Sequence, residues 1–201
     1  MREIGILGGT FDPFHNGHLS IARAAKDEYD LSEMILMPAR ISPFKLGKKV
    51  TNEEQRVEML RLVASENPGF SVSVIEAESE RVSYTYDTLT LLKNSYGDDV
   101  KLFFIIGTDS LLSMETWYKG KRLLREFQFI VGSRPGYKEE ETLDRVDYYG
   151  DRYGTEVRLM TNDRVDISST EIKNIIKSGG SITGLVPDCI ERYIYEHGLY
   201  K

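Results

Sequence analysis

Cysteine is all but missing from this chain. Cys189 stands alone among 201 residues, which excludes an internal disulfide and fits a reducing compartment. No apolar run reaches the length of a membrane span. Met1-Arg2-Glu3 leads at once into an apolar stretch without the pattern of a secretory leader, so a cytoplasmic chain is expected. Positive charge is also in short supply. With 26 Lys and Arg against 32 Asp and Glu, the net charge of -6 excludes an extended nucleic-acid surface but leaves room for a local basic pocket around a small anion. Small molecules, with neither nucleic acid nor membrane, are therefore the expected partners; homo-oligomerisation stays open. Two common phosphate-loop fingerprints, Gly-x-Gly-x-x-Gly and Gly-x-x-x-x-Gly-Lys-Ser/Thr, do not occur, nor does a Ser-His-Asp constellation with recognisable spacing. No internal repeat or low-complexity run is evident. The 40% hydrophobic content can bury one sizeable core, so one domain over residues 1–201 is expected.

What the chain does have is Gly8-Gly9-Thr10-Phe11-Asp12-Pro13-Phe14-His15-Asn16-Gly17-His18. Before it, Ile4-Gly5-Ile6-Leu7 reads as a buried strand; after it, Leu19, Ala22, Ala25 and Tyr29 recur at helical spacing. The motif thus joins a strand to a helix beginning near Asn16. Gly8 and Gly9 lack a Cβ, which lets backbone N–H groups approach a ligand closely. The helix start turns unpaired N–H groups and its positive dipole end toward the same place, a site suited to polyphosphate. His15 and His18, three apart, share one face of the first turn, with Gly17 leaving the other side open. Imidazole N–H groups donate to phosphate oxygens, and a modest pKa shift makes them cationic near neutral pH. Two other readings use the same residues. A His-x-x-His metal site would need further ligands, and only Asp12 is close in sequence; a plain strand-to-helix turn with two surface histidines would need no ligand at all.

Strand-like and helix-like segments alternate along the chain. Strands are expected at Ile4–Leu7, Glu33–Met37, Phe70–Ile75, Leu102–Ile106, Phe127–Val131 and Val157–Met160. Thr51-Asn52-Glu53-Glu54 reads as a capping box for the next helix, Thr85 as the cap of the helix carrying Leu89, and Ser168 or Ser169 as the cap of the helix that Gly179-Gly180 stops. A last helix should start at Pro187 and end at Gly198. This order predicts an α/β fold: a Rossmann-like, doubly wound parallel sheet with helices on both faces. In such sheets ligands bind beyond the carboxyl ends of the strands.

The segments at those ends carry further chemistry. Arg40, Lys45, Lys48 and Lys49 follow the second strand in a loop that could fold over phosphates or simply be solvated. Gly107-Thr108-Asp109 follows the fourth strand. Asp109 could accept from ribose hydroxyls or cap the next helix, and both roles are compatible. Trp117, the only tryptophan, offers a flat face to a ligand ring or to the core. Ser133-Arg134 and Ser168-Ser169-Thr170-Glu171-Ile172-Lys173 combine hydroxyls at a helix start with nearby cations, either as a triphosphate clasp or as ordinary caps.

The Gly8–His18 segment resembles the first signature of the HxGH nucleotidyltransferase superfamily and, within it, the nicotinate-nucleotide adenylyltransferase family. The resemblance runs to Lys173 through several motifs in family order. It implies ATP and nicotinate mononucleotide as substrates, with deamido-NAD and pyrophosphate as products, and Mg2+ arriving with ATP. No cage of carboxylates is apparent in the sequence, so that ion should keep its waters. It implies that His18, then His15 and Lys45, stabilise the reacting phosphates. Gly8, Gly9, Thr10, Phe11, Gly107, Asp109, Arg134, Ser168, Ser169, Thr170 and Lys173 would join the histidines around ATP. Ser83, Tyr84, Thr85, Trp117 and Tyr118, with Lys45 and Asp109, would hold the acceptor. The chain departs from the family's usual wording at Phe44, where a histidine is common, and at Lys173, where arginine is common; lysine keeps the charge but loses the guanidinium fork. Competing readings are another phosphate acceptor, nicotinamide mononucleotide or phosphopantetheine, and a nucleotide-binding regulator without turnover. The Ser83-Tyr84-Thr85 and Trp117-Tyr118 elements argue against phosphopantetheine, the intact histidines against the regulator.

Overall fold

The computed structural model describes residues 1–39, 50–76, 84–132, 139–161 and 167–201. Lys45, Lys48, Lys49, Phe44, Ser83, Ser133 and Arg134 lie outside these residues. Six strands form one parallel sheet: β1 (Arg2–Gly9), β2 (Glu33–Pro38), β3 (Phe70–Val72), β4 (Val100–Gly107), β5 (Gln128–Gly132) and β6 (Val157–Met160). Their spatial order is β3-β2-β1-β4-β5-β6, so the chain reverses its direction of travel across the sheet between β1 and β4. Eight α-helices accompany them among the described residues. They are α1 (Asn16–Glu28), α2 (Glu53–Glu66), α3 (Thr85–Tyr96), α4 (Thr108–Ser113), α5 (Gly120–Glu126), α6 (Glu139–Tyr153), α7 (Ser169–Lys177) and α8 (Asp188–Glu196). This is the Rossmann-like α/β architecture that the alternation of segments predicts.

Parallel strands covered on both faces bury nearly every side chain, and the period of two divides those side chains between two cores. Phe103, Ile105 and Ile130 point to the face covered by α1, α2, α7 and α8, where Ala22, Leu60, Ile172 and Ile190 meet them. Leu102, Phe104, Ile106, Phe129 and Val131 point to the other face, against Leu89 of α3, Leu111 of α4, Leu123 of α5 and Tyr149 of α6. Each such side chain contributes about 1.5–3 kcal/mol by leaving water.

Several boundaries differ from the sequence reading, each for a local reason. β3 ends at Val72, because only Phe70 to Val72 pair with β2 in register. Asn52, one residue after Thr51, caps α2: its side chain accepts the Glu54 N–H at 2.9 Å. Thr85 is the first residue of α3, not its cap, which is Tyr84 without a side-chain bond. Gly107 caps α4, which leaves Asp109 inside the first turn. Ser168 caps α7 as expected, accepting the Glu171 N–H at 3.1 Å, and Gly179 follows with φ 76°. No helix among the described residues is long and apolar enough to cross a membrane.

Phe103 has no solvent exposure, and its central strand is fixed on both sides. Phe103→Ala should cost about 3–5 kcal/mol, the usual price of emptying an aromatic site. Urea unfolding should show a lower midpoint with an unchanged slope.

Candidate active site

Register sets the site before any side chain does. Leu7 pairs with Ile105, Gly9 with Pro38, and Gly107 with Gly132, so the segments leaving β1, β2, β4 and β5 emerge at one edge of the sheet. In sheets of this kind a crevice lies where the strand order reverses; here that point is between β1 and β4, and the segment from Thr10 to His15 starts at that edge.

That loop turns differently from the sequence reading. Neither Gly8 nor Gly9 adopts a positive φ; Phe11 does, at 50°. The glycines serve packing instead. A Cβ on Gly9 would lie 2.8 Å from the Phe11 ring, and one on Gly8 would lie 3.1 Å from that of Phe104. Left-handed backbone is unfavourable for a residue with a Cβ. Phe11 offsets this by burying its ring, which lies 5.3 Å from that of Phe14 and edge-on to His18 at 5.0 Å.

His15 caps α1 and His18 sits in its first turn, with the two rings stacked 3.7 Å apart and inclined by 24°. The His15 backbone N–H donates to His18 Nδ1 at 3.3 Å. An accepting Nδ1 carries no proton, so His18 holds its proton on Nε2, where it can be given to a phosphate oxygen. His15 is only 7% exposed, and its Nδ1 is buried with no hydrogen-bond partner among the described residues. Burial lowers its pKa to about 4, so His15 is neutral at pH 7, against the expectation of a cationic pair. Gly17 is buried and leaves no open side. The Asn16 N–H of the helix start is also engaged, donating to Leu185 O at 2.9 Å.

Beneath the loop lies a polar network. The Asp12 carboxylate, 4% exposed, accepts from Lys173 Nζ at 2.8 Å and from Tyr200 Oη at 2.9 Å. Burial raises its pKa, but hydrogen bonds from Lys173, Thr51 and Tyr200 outweigh that and hold it below the usual carboxylate range. Arg56, 2% exposed, donates to Thr10 O at 2.7 Å, Ala39 O at 2.8 Å and Thr51 O at 3.1 Å. Lys173 therefore meets Asp12, where the sequence reading had it face phosphate directly. Ser168 is spent as a cap, Ser169 donates to Pro13 O at 2.9 Å, and Thr170 is exposed in the first turn of α7.

On the other side of the crevice, the first turn of α4 carries Asp109, half-buried beside buried Thr108. The two segments expected around an acceptor ring do meet, since the exposed rings of Tyr84 and Tyr118 lie 4.4 Å apart. Lys119 Nζ joins the same two segments by an ion pair with Asp87 at 2.8 Å. Trp117 is half-buried, packing on the core while its Nε1 donates to Ser113 Oγ at 3.4 Å. No group of three potential metal ligands gathers among the described residues.

Sequence reasoning did not single out Arg56, Tyr200 or Lys119. Arg56 had a signal, because it shares a helix face with Leu60 and Val63, which makes an exposed arginine improbable there. The other two had none.

The match to known proteins agrees with this geometry. Residues 6–175 match the cytidylyltransferase-like family. A probable nicotinate-nucleotide adenylyltransferase of Clostridium botulinum (strain Alaska E43 / Type E3) is 41% identical over 201 residues, covering 100% of this chain and 99% of its own. The nicotinate-nucleotide adenylyltransferase of Bacillus subtilis (strain 168) is 40% identical, with both chains covered in full. This chain belongs to the nicotinate-nucleotide adenylyltransferase family. In fold it is similar to Plasmodium falciparum nicotinic acid mononucleotide adenylyltransferase complexed with NaAD. That likeness has a TM-score of 0.79 at 21% identity and covers 100% of this chain and 98% of the other. Within this adenylyltransferase family fold, the stacked histidines stand at the reversal of strand order and the Tyr84–Tyr118 pair lies across the α3 start.

The neutral state of His15 has a measurable consequence. Its pKa is lower folded than unfolded, so its contribution to stability is complete above about pH 6.5 and is lost as pH falls toward 4. Between pH 7 and 5 the loss should be of order 2 kcal/mol. Urea titrations at both pH values should show it, and His15→Gln should flatten the difference.

Proposed function

We propose that this chain, as one cytoplasmic domain, transfers the adenylyl group of ATP to the phosphate of nicotinate mononucleotide, forming deamido-NAD and pyrophosphate in NAD biosynthesis. The observation that carries the reading is the imidazole pair at the crevice between β1 and β4, on a chain of this family. A phosphate oxygen of the acceptor attacks the α-phosphorus of ATP. The bond from that phosphorus to the bridging oxygen breaks, and the electron pair leaves with pyrophosphate. The acceptor phosphate is already anionic at pH 7, so the protein need supply no nucleophile. Its contribution is alignment and stabilisation of developing charge.

In this reading His18 donates its Nε2 proton as a hydrogen bond to the α-phosphate. His15, neutral and stacked beneath, fixes that ring's plane. The Gly8–Phe11 backbone lines the nucleotide, with Gly107 and Asp109 beside the ribose. Thr170 and the first turn of α7 lie near the triphosphate. Lys45 and Arg134 add positive charge. Lys173, one N–H already committed to Asp12, has two left for phosphate. Mg2+ would arrive with ATP and would supply charge neutralisation for the polyphosphate. Tyr84, Thr85, Trp117 and Tyr118 hold the pyridine ring and its carboxylate, and Ser83 belongs to the same element.

Pyrophosphate release from MgATP with a panel of acceptors tests the reading. Release with nicotinate mononucleotide supports it. Release only with phosphopantetheine would assign another acceptor, and none with any acceptor would leave a nucleotide-binding regulator. His18→Ala should keep the fold by circular dichroism and lower turnover about 10²- to 10³-fold, the range for losing one charge-stabilising donor.

The acid should be preferred over its amide. N–H donors at the start of α3 and near Tyr118 would meet a carboxylate with charge-assisted bonds but face an amide NH₂ donor against donor. The mismatch should cost at least about 2 kcal/mol, near thirtyfold in kcat/KM. Steady-state kinetics on both acceptors at fixed MgATP would show it, and a ratio near one would mean the pocket does not read the carboxylate.

A further inference from the structure

We propose that Tyr200 is a positioning residue for the histidine loop, acting through Asp12. The inference deepens the adenylyltransferase reading and rests on it for its kinetic consequence. Asp12 lies three residues before His15 and six before His18, inside a loop whose backbone includes the left-handed Phe11. A loop in that conformation keeps one shape only if its surroundings over-determine it. Four grips do so: Arg56 on Thr10 O, Ser169 on Pro13 O, Leu185 O on the Asn16 N–H, and the Asp12 carboxylate itself. The first three hold backbone. Asp12 is the only side chain of the Thr10–Pro13 stretch held through both of its oxygens, by Lys173 on Oδ2 and by Tyr200 on Oδ1.

Tyr200 reaches this place from 188 residues away at some conformational expense. Its own φ is 65°, and Gly198 before it turns with φ 60°. An aromatic residue in left-handed backbone signals a side chain whose placement outweighs the strain. The ring packs beside the α1/α2 core with Lys173 Nζ 5.8 Å from its centre, so the phenol touches both the carboxylate and, through its face, the cation that shares it. Burial, and then Asp12, push the Tyr200 hydroxyl pKa well up, so it stays protonated and serves as a permanent donor. Removing only that oxygen takes the Tyr200 donor from Asp12 Oδ1 and leaves the buried carboxylate to Lys173 and Thr51, which shifts its balance of donors. The loop then loses one of the donors that hold its buried carboxylate in place, while no group that touches substrate has changed.

The test compares Tyr200→Phe with the parent and with Tyr195→Phe, which removes an exposed hydroxyl on α8. Two readouts are needed. Steady-state kinetics well below the unfolding temperature should show kcat lowered about tenfold in Tyr200→Phe, with KM for ATP and for nicotinate mononucleotide within twofold of the parent, because alignment is lost rather than binding. Nitrogen-15 spectra of the ligand-free proteins should show the His15 and His18 ring signals moved in Tyr200→Phe and unmoved in Tyr195→Phe. Unmoved ring signals, or moved signals with parental kcat, overturn the proposal. So does a Tyr200→Phe protein that fails to fold while Tyr195→Phe folds, since Tyr200 would then be structural. Moved signals in a chain whose parent releases no pyrophosphate would support the positioning role and sink the functional reading instead.

Discussion

The pairing of β1 between β2 and β4 is the constraint on which the ligand-facing edge depends. Parallel register puts Gly9 level with Pro38 and, one strand further, Gly107 level with Gly132. Loops from distant parts of the chain therefore start from one line, and a one-residue slip would turn each strand's core side chains to the opposite face. The two cores prevent such a slip, since Phe103 and Ile105 fill one side of β4 while Phe104 and Ile106 fill the other. Positional accuracy at the histidines is thus inherited from hydrophobic packing some residues away.

On that frame the chain arranges its charges so that the reactive face is supported from behind. A lone buried carboxylate would be costly; Asp12 is tolerable because Lys173 and Tyr200 supply donors to separate oxygens. A lone buried guanidinium would be equally costly, and Arg56 is tolerable because three carbonyls accept from it. His15 resolves the same problem in another way, by giving up its charge. Neutral imidazole gives up Coulomb attraction in exchange for a ring that stacks on His18 without charge repulsion.

Strand identity and order of elements were legible because alternating apolar runs and helical spacing are local signals. The six strands fall where Ile4, Glu33, Phe70, Leu102, Phe127 and Val157 open the expected runs, with shifts of a few residues at their ends. The place of His15 and His18 was equally legible, through the spacing that puts one at the cap of α1 and the other in its first turn. The neutrality of His15 was not, because it follows from burial in the folded chain, which spacing does not reveal. Gly8 and Gly9 were read as room for a ligand, whereas the space beside them is filled by Phe104 and Phe11. Contacts such as Asp12 with Tyr200 join residues with no periodic relation, so only the folded chain discloses them.

One guanidinium grips the carbonyls of both Ala39 and Thr51. The two ends of the intervening stretch, which holds Lys45, are thereby tied at a fixed separation that does not depend on what lies between them. Closure entropy grows only with the logarithm of loop length, so doubling that stretch would cost about 0.6 kcal/mol. The segment can lengthen, shorten or change sequence without disturbing Thr10, to which the same guanidinium is bonded. Change of sequence between Ala39 and Thr51 is thereby uncoupled from the anchoring of Thr10, and Phe44, where the family commonly has histidine, belongs to that stretch.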